Sequence, residues 1–286
     1  MQIQNSFSDG KHGFLYLVST PIGNLEDITL RALTILKSVD FIAAEDTRNA
    51  KQLLDHFGID KKLVSYHNYN EDQKKESLLN DLLNSKNIAL ISDAGTPCIN
   101  DPGYHLVKLC RENNINVVSI PGACAAISAL SISGIASDKF CYEGFLSSKK
   151  SQREKYLFDL KEEERTLIFY ESPHRIIEML NSIQNILGNR KIVIARELTK
   201  LWETIYSGSV EDILATANNY LEKGEIVIIV EGFQNSEEAF KIDKKGIILI
   251  ENLIEKLPLK EVSKIVSEVF DLNKNELYKY ILNTYK

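Results

Sequence analysis

The chain has 286 residues, 44% of them hydrophobic, which is long enough for two or three domains and apolar enough to bury a sizeable core. Lysine and arginine number 34 against 40 aspartates and glutamates, so the net charge is −6, and a basic field over the whole protein is excluded. Any nucleic-acid partner must therefore be held by a local patch. Cys98, Cys110, Cys124 and Cys141 form no CxxC pair and the histidines are scattered, so the spacing offers no zinc cluster. No apolar run is long enough to span a bilayer, and the polar first 13 residues lack the apolar centre of a signal peptide. The expected compartment is the cytoplasm, with no membrane partner.

In chain order, residues 1–13 read as a flexible arm. An apolar run at 14–18 predicts a strand, 28–39 a helix, 40–45 a strand and 48–57 a helix with its apolar residues on one face. A short strand at 61–66 and a helix at 71–83 follow, then a strand at 87–92, a helix at 104–113, a strand at 115–120 and a helix at 125–134. Strand, loop and helix alternate at intervals typical of α/β domains with mainly parallel pairing, and the strands are apolar without alternation, as expected for burial on both faces. A second α/β unit is expected over 136–233, with strands at 140–145, 166–170, 192–195 and 225–232 and helices at 149–160, 174–186 and 210–221. The first such domain spans 14–135. After a polar stretch, 234–286 reads as helices at 247–256, 260–270 and 275–282.

Three glycine- and proline-bearing loops, 20–24 (TPIGN), 93–103 (DAGTPCINDPG) and 120–126 (IPGACAA), each follow a predicted parallel strand. Ligand sites of open α/β sheets gather at the carboxyl ends of strands, so these loops can surround one ligand. Neither GxGxxG nor GxxxxGK[ST] is present, which argues against a nicotinamide dehydrogenase and a P-loop nucleotidase. The charged residues at the strand ends are the chemical candidates: Glu45, Asp46 and Arg48, Asp93 and Asp101, Glu171, His174 and Arg175, and Arg196, Glu197 and Lys200. Each also suits a helix cap or a buried ion pair. A basic cluster, Lys149, Lys150, Arg153 and Lys155, suits phosphate contact or a solvated face. Trp202 and Tyr206 suit base stacking or core packing.

Six of these segments, 14–33, 43–48, 90–103, 120–130, 169–175 (FYESPHR) and 194–203 (IARELTKLWE), together resemble the ribosomal RNA small subunit methyltransferase I family, the RNA-directed branch of the tetrapyrrole methylase superfamily. The resemblance implies an α/β, two-domain tetrapyrrole methylase-like fold with an interdomain cleft and a small C-terminal helical segment. It implies a homodimer that binds S-adenosylmethionine and methylates the ribose 2'-hydroxyl of a cytidine in the decoding region of 16S rRNA, free or in the 30S subunit. Carried over, it puts Pro21, Gly23, Asp93, Ala94, Gly95, Pro121, Gly122, Ala123 and Ser128 around the cofactor, closed over by Tyr170, Glu171, Arg196, Glu197 and Leu198. It implies a helix-turn-helix-like tail over 257–282.

A ribose hydroxyl must lose its proton as it attacks a methyl group, so Asp46, Asp101 or Glu171 is the expected base, with Arg48 or Lys200 steadying phosphate and developing negative charge. Lys149, Lys150, Arg153 and Lys155 are the expected RNA contacts. The chain departs from the family pattern at 144–150 (GFLSSKK), where a proline is usual after Leu146, at Asn100, usually serine, and at Cys98, usually aliphatic. The competing readings are a tetrapyrrole or other small-molecule methyltransferase and a non-catalytic ribosome-assembly protein. The basic cluster and the helical tail favour RNA over the first.

Overall fold

A computed structural model describes residues 11–217, 224–234 and 242–285. The chain divides into two compact units, 1–232 and 233–286. The expected arm at 1–13 lies outside the described residues except for its last three. Those three are held: Gly13 donates its backbone N–H to Leu82 O at 2.8 Å, and Lys11 O accepts from the Ser85 hydroxyl at 3.4 Å.

The first half of unit one alternates β1 (Phe14–Val18), α1 (Leu30–Ser38), β2 (Phe41–Ala44), α2 (Thr47–His56), β3 (Leu63–Ser65), α3 (Glu71–Leu83), β4 (Ile88–Ile91), α4 (Tyr104–Glu112), β5 (Asn116–Ile120) and α5 (Ala125–Ser133). Its sheet has the order β3-β2-β4-β1-β5 and is parallel throughout, as the non-alternating apolar strands predict. Every residue of β2 and β4 is buried. One face packs Val18, Ile42 and Ile91 against Leu36 of α1 and Leu54 of α2; the other packs Leu15, Phe41 and Leu90 against Leu79 of α3 and Leu106 of α4. Helix starts are capped as their residue types demand: the Thr29 side chain accepts from Ala32 N, and Asp46 accepts from Arg48 N.

The second half comprises β6 (Phe140–Phe145), α6 (Lys150–Asp159), β7 (Thr166–Glu171), α7 (Ile176–Leu187), β8 (Lys191–Arg196), β9 (Thr204–Ser209), α8 (Val210–Ala217) and β10 (Ile226–Val230). Its sheet is mixed, unlike the first. The order is β6-β7-β10-β8-β9, with only β6 and β7 parallel, and β10 lies between β7 and β8, antiparallel to both. The edge strand β9 was not expected, because TIYSGS has no apolar run and is only half-buried. The predicted helix at 210–221 is described only to Ala217, its remainder lying outside the described residues.

Helix α5 belongs by chain order to the first half but packs on the second sheet. Its Ala126, Ala129 and Leu130 meet Ile168, Val193, Ala195, Val227 and Ile229. Small side chains let the helix sit close to the strands, and α6, α7 and α8 cover the opposite face around Leu157, Leu180 and Ile213. Unit two holds α9 (Lys244–Ile254), α10 (Leu259–Phe270) and α11 (Lys274–Tyr285), packed around Ile250, Val262, Val266, Leu277 and Ile281. The turn between α10 and α11 begins at Asp271, in the left-handed conformation at φ 51°.

Leu130 is 5% exposed at the centre of the α5 packing. Leu130→Ala is expected to lower unfolding stability by about 2–5 kcal/mol, read as a shift of the urea midpoint at unchanged slope.

Candidate active site

The three loops after β1, β4 and β5 meet through the backbone. Thr20 and Gly95 exchange N–H···O bonds of 2.9 and 3.1 Å, forming an antiparallel bridge outside both strands. The Ser19 and Thr96 hydroxyls lie 3.0 Å apart, and Thr96 in turn donates to Ala123 O at 3.1 Å. The first loop is also tied to the turn after β8: Asn24 N–H donates to the Thr199 hydroxyl at 3.0 Å. A Cβ on Gly23 would lie 2.5 Å from Lys200 Cγ and 2.8 Å from the Thr199 hydroxyl, so only glycine admits that approach.

Between these loops and the second sheet lies a cavity of about 440 Å³, within the range of small-ligand clefts. Ile22, Ala125, Ala195, Leu198 and Val227 give it apolar walls, and Glu45, Asp93, Asp101, Glu171 and Glu225 bring five carboxylates to it. Such a surface suits a ligand that is apolar in part and positively charged in part.

The carboxylates differ in what holds them. Asp93 accepts from Asp46 N–H at 3.1 Å and from the Asn49 carboxamide at 2.8 Å, so both its oxygens are engaged by the start of α2. The Glu171 side chain is fully buried and accepts from Ser172 N–H at 2.7 Å and from the Arg175 guanidinium at 2.9 Å. Asp101 has no ion-pair partner among the described residues. Burial pushes its carboxyl up to about 6, the charges of Glu45 and Asp93 add to the rise, and a bond from the Ser92 hydroxyl opposes it. Burial likewise raises Glu45. The Tyr170 hydroxyl, raised by burial to about 12, accepts from Ala126 N–H at 3.0 Å and so joins β7 to the start of α5.

Residues 14–214 match the model of the tetrapyrrole (corrin/porphyrin) methylases. The chain is 51% identical over 282 residues to the ribosomal RNA small subunit methyltransferase I of Escherichia coli O157:H7, covering 98% of both chains. To the protein of that name from Haemophilus influenzae it is 51% identical over 273 residues, 94% of this chain and 96% of the relative. The chain belongs to the ribosomal RNA small subunit methyltransferase I family. The fold is shared with diphthine synthase, at a TM-score of 0.62 and 13% identity over 77% of this chain and 90% of that one. It is shared too with the uroporphyrin-III-C-methyltransferase of Thermus thermophilus, at 0.55 and 18% over 76% and 94%.

In this methyltransferase I family member the sequence-expected residues separate into groups. Asp93, Ala94, Gly95, Asp101, Tyr170, Glu171 and Leu198 line the cavity. Pro21, Gly23, Pro121, Gly122, Ala123 and Ser128 belong to the surrounding loops and α5 without lining it, and Arg196 ends β8. Glu197, left-handed at φ 55°, stands behind the wall: its carboxylate accepts from Glu225 N–H at 2.9 Å and from Lys200 at 2.9 Å. Lys200 also pairs with Glu225 at 3.2 Å, so its charge is committed to the wall.

Asp46 caps α2 and pairs with Arg48 at 2.5 Å, and that bond holds its carboxyl down at about 2. The Arg48 side chain is otherwise exposed. His174 sits exposed in a 3-10 turn and does not line the cavity, although Pro173 before it does. Sequence reasoning missed residues 224–227. They lie at the start of a strand rather than its end, and only because β10 runs antiparallel does its beginning meet the carboxyl ends of β7 and β8.

Burial divides the basic cluster. Arg153 is 1% exposed; it donates to the Ser182 hydroxyl at 3.0 Å and pairs with Glu178 at 3.4 Å, so it joins α6 to α7 and is not available to RNA. Lys149, Lys150 and Lys155 are exposed. Trp202 is 71% exposed and so is not a core residue, whereas Tyr206 packs on the core of the second sheet.

Two measurements check these assignments. Carboxyl NMR titration of the ligand-free protein is expected to give a midpoint near 6 for Asp101 and near 2 for Asp46. Arg153→Ala is expected to cost about 2 kcal/mol or more in denaturant unfolding by leaving buried partners unsatisfied, whereas Lys155→Ala stays within about 0.5 kcal/mol.

Proposed function

We propose that this chain transfers the methyl group of S-adenosylmethionine to the ribose 2'-hydroxyl of a cytidine in the 16S RNA of the small ribosomal subunit. The substrate class comes from the relatives' name and from likeness over nearly the full length of both chains. The observation that carries the chemistry is Asp101, a carboxylate of raised proton affinity in the cleft with no cation paired to it among the described residues.

The cleft fits the donor. Its carboxylates match a ligand bearing sulfonium and ammonium charges, and Ile22, Ala125, Leu198 and Val227 offer the apolar wall that an adenosine needs. Asp93, Ala94, Gly95, Tyr170 and Leu198 contact it, while Pro21, Gly23, Pro121, Gly122, Ala123, Ser128, Arg196 and Glu197 shape the loops and the wall that hold these residues. When bound, the donor supplies an electrophilic methyl whose sulfur departs as a neutral thioether.

The chain's own work is to align the ribose oxygen in line with that carbon, exclude water and take the proton. Asp101 is the base: as the oxygen–carbon bond forms, the hydroxyl proton passes to its carboxylate and from there to solvent. A group titrating near 6 is deprotonated at neutral pH yet basic enough to assist. Asp46 is too acidic for that work, and Glu171 is neutralised by Arg175. The exposed Arg48, Lys149, Lys150 and Lys155 take RNA phosphates, and Lys200 acts through the wall it braces. The active form is a homodimer located in the cytoplasm, where its substrate is.

Asp101→Asn is expected to slow single-turnover ribose methylation of small subunits by about 10²-fold or more at saturating donor. The wild-type rate rises with pH through a midpoint at or below about 6, because the base must be ionised and the donor's positive charge lowers its affinity for protons. The variant lacks that rise. A variant rate equal to wild type would remove Asp101 from this role. Small-subunit RNA from cells lacking the protein should miss one cytidine 2'-O-methyl group, and an unchanged ribose methylation map would refute the substrate.

A further inference from the structure

Strand β6 is built irregularly where it reaches the cleft. Its pairing with β7 shifts register between Tyr142 and Gly144, a bulge, and Gly144 is left-handed at φ 62°. A Cβ there would lie 2.6 Å from Asn100 Nδ2 and 2.7 Å from Asn100 Oδ1, so the carboxamide of Asn100 occupies the space beside the glycine. Asn100 is itself left-handed at φ 67°, and its Oδ1 accepts from the Tyr142 hydroxyl at 2.9 Å. The segment that carries Asp101 is thereby clasped to the end of β6.

Bulges beside active sites re-aim the following side chain. Here that side chain is Phe145. It lines the cavity, one side of its ring meets Tyr170 edge-on at 5.5 Å, and it remains 55% exposed. Ile99, one residue before Asn100, also lines the cavity and is 43% exposed. Two left-handed residues and a bulge thus hold a large apolar ring open at the cavity that Asp101 also lines.

We infer that Phe145 is the platform on which the acceptor nucleotide's base stacks, with Ile99 as the second apolar contact, so that the ribose is presented to Asp101. This rests on the RNA methyltransferase reading above and names how that site takes its acceptor. Single-stranded RNA is read largely by stacking unpaired bases on aromatic side chains, and an exposed ring adjoining the reacting group is what that requires. Stacking alone tolerates any base, so Phe145 contributes binding and placement of the nucleotide, and the choice of cytidine lies with other groups.

The test uses the full chain and small subunits lacking the modification, with S-adenosylhomocysteine binding followed in parallel by calorimetry. Phe145→Ala is expected to raise the KM for subunits by about 5- to 150-fold, the usual worth of one stacked base, with S-adenosylhomocysteine affinity and the thermal midpoint unchanged. Phe145→Tyr and Phe145→Trp should keep KM near wild type, whereas Phe145→Leu, apolar but not aromatic, should resemble the alanine variant. An unchanged KM in Phe145→Ala, full function in Phe145→Leu, or an equal loss of S-adenosylhomocysteine binding would overturn the inference. The two readings fail separately. Wild-type protein that leaves RNA ribose unmethylated refutes the proposed function, and wild-type activity shared by Phe145→Ala refutes only the stacking platform.

Discussion

The cleft depends on one short piece of backbone pairing, the two hydrogen bonds exchanged by Thr20 and Gly95. The strands β1 and β4 are neighbours in the sheet, but their loops would splay apart beyond the last ladder bond without a further tie. The bridge extends pairing past the strand ends and reverses its sense. Ser19, Thr96 and Ala123 then carry the connection to the loop after β5. Backbone groups that would otherwise need water are satisfied within the protein, so the loops enter the site already ordered. Ile22, Ala94 and Thr96, which line the cavity, are placed by that ordering.

A parallel sheet supplies a place for a ligand but little chemistry of its own. The chemistry comes from unequal treatment of similar groups. Five carboxylates border one cavity, and the fold spends cations and N–H donors on some of them while leaving Asp101 to burial. Asp46 and Asp101 are the same residue type, one capping α2 directly after β2 and the other in the long loop between β4 and α4. Their environments separate them by about four pH units, one paired with an exposed guanidinium and the other desolvated.

That separation also shows where reading the sequence stops. The first sheet was legible because its strands are continuously apolar and its helices amphipathic, and the α3 boundaries at 71 and 83 follow from this pattern. The three loops were legible because glycine and proline sit directly after strands. The roles of Asp46, Asp101 and Glu171 were not, since which carboxylate finds a cation is decided by packing. Arg153 looked like its lysine neighbours, yet its place on the helix turns it inward onto Ser182. Phe145 gave no signal because an aromatic at a strand end ordinarily packs, and only the bulge at Gly144 turns it out. β9 escaped because TIYSGS carries no apolar run, and the strand expected at 225–232 gave no sign that its beginning lines the cleft, because its antiparallel direction is set by packing.

The position of β10 has a consequence for how the protein is made. β7 and β8 never pair with each other; each pairs with β10, the last strand of the sheet in chain order. During synthesis, β7 and β8 therefore leave the ribosome with an unfilled gap between them, and no nascent chain shorter than about 230 residues can close the cleft. Completion of the site is a late event in biogenesis. A premature stop between the end of β9 and the start of β10 leaves two exposed sheet edges, one on β7 and one on β8.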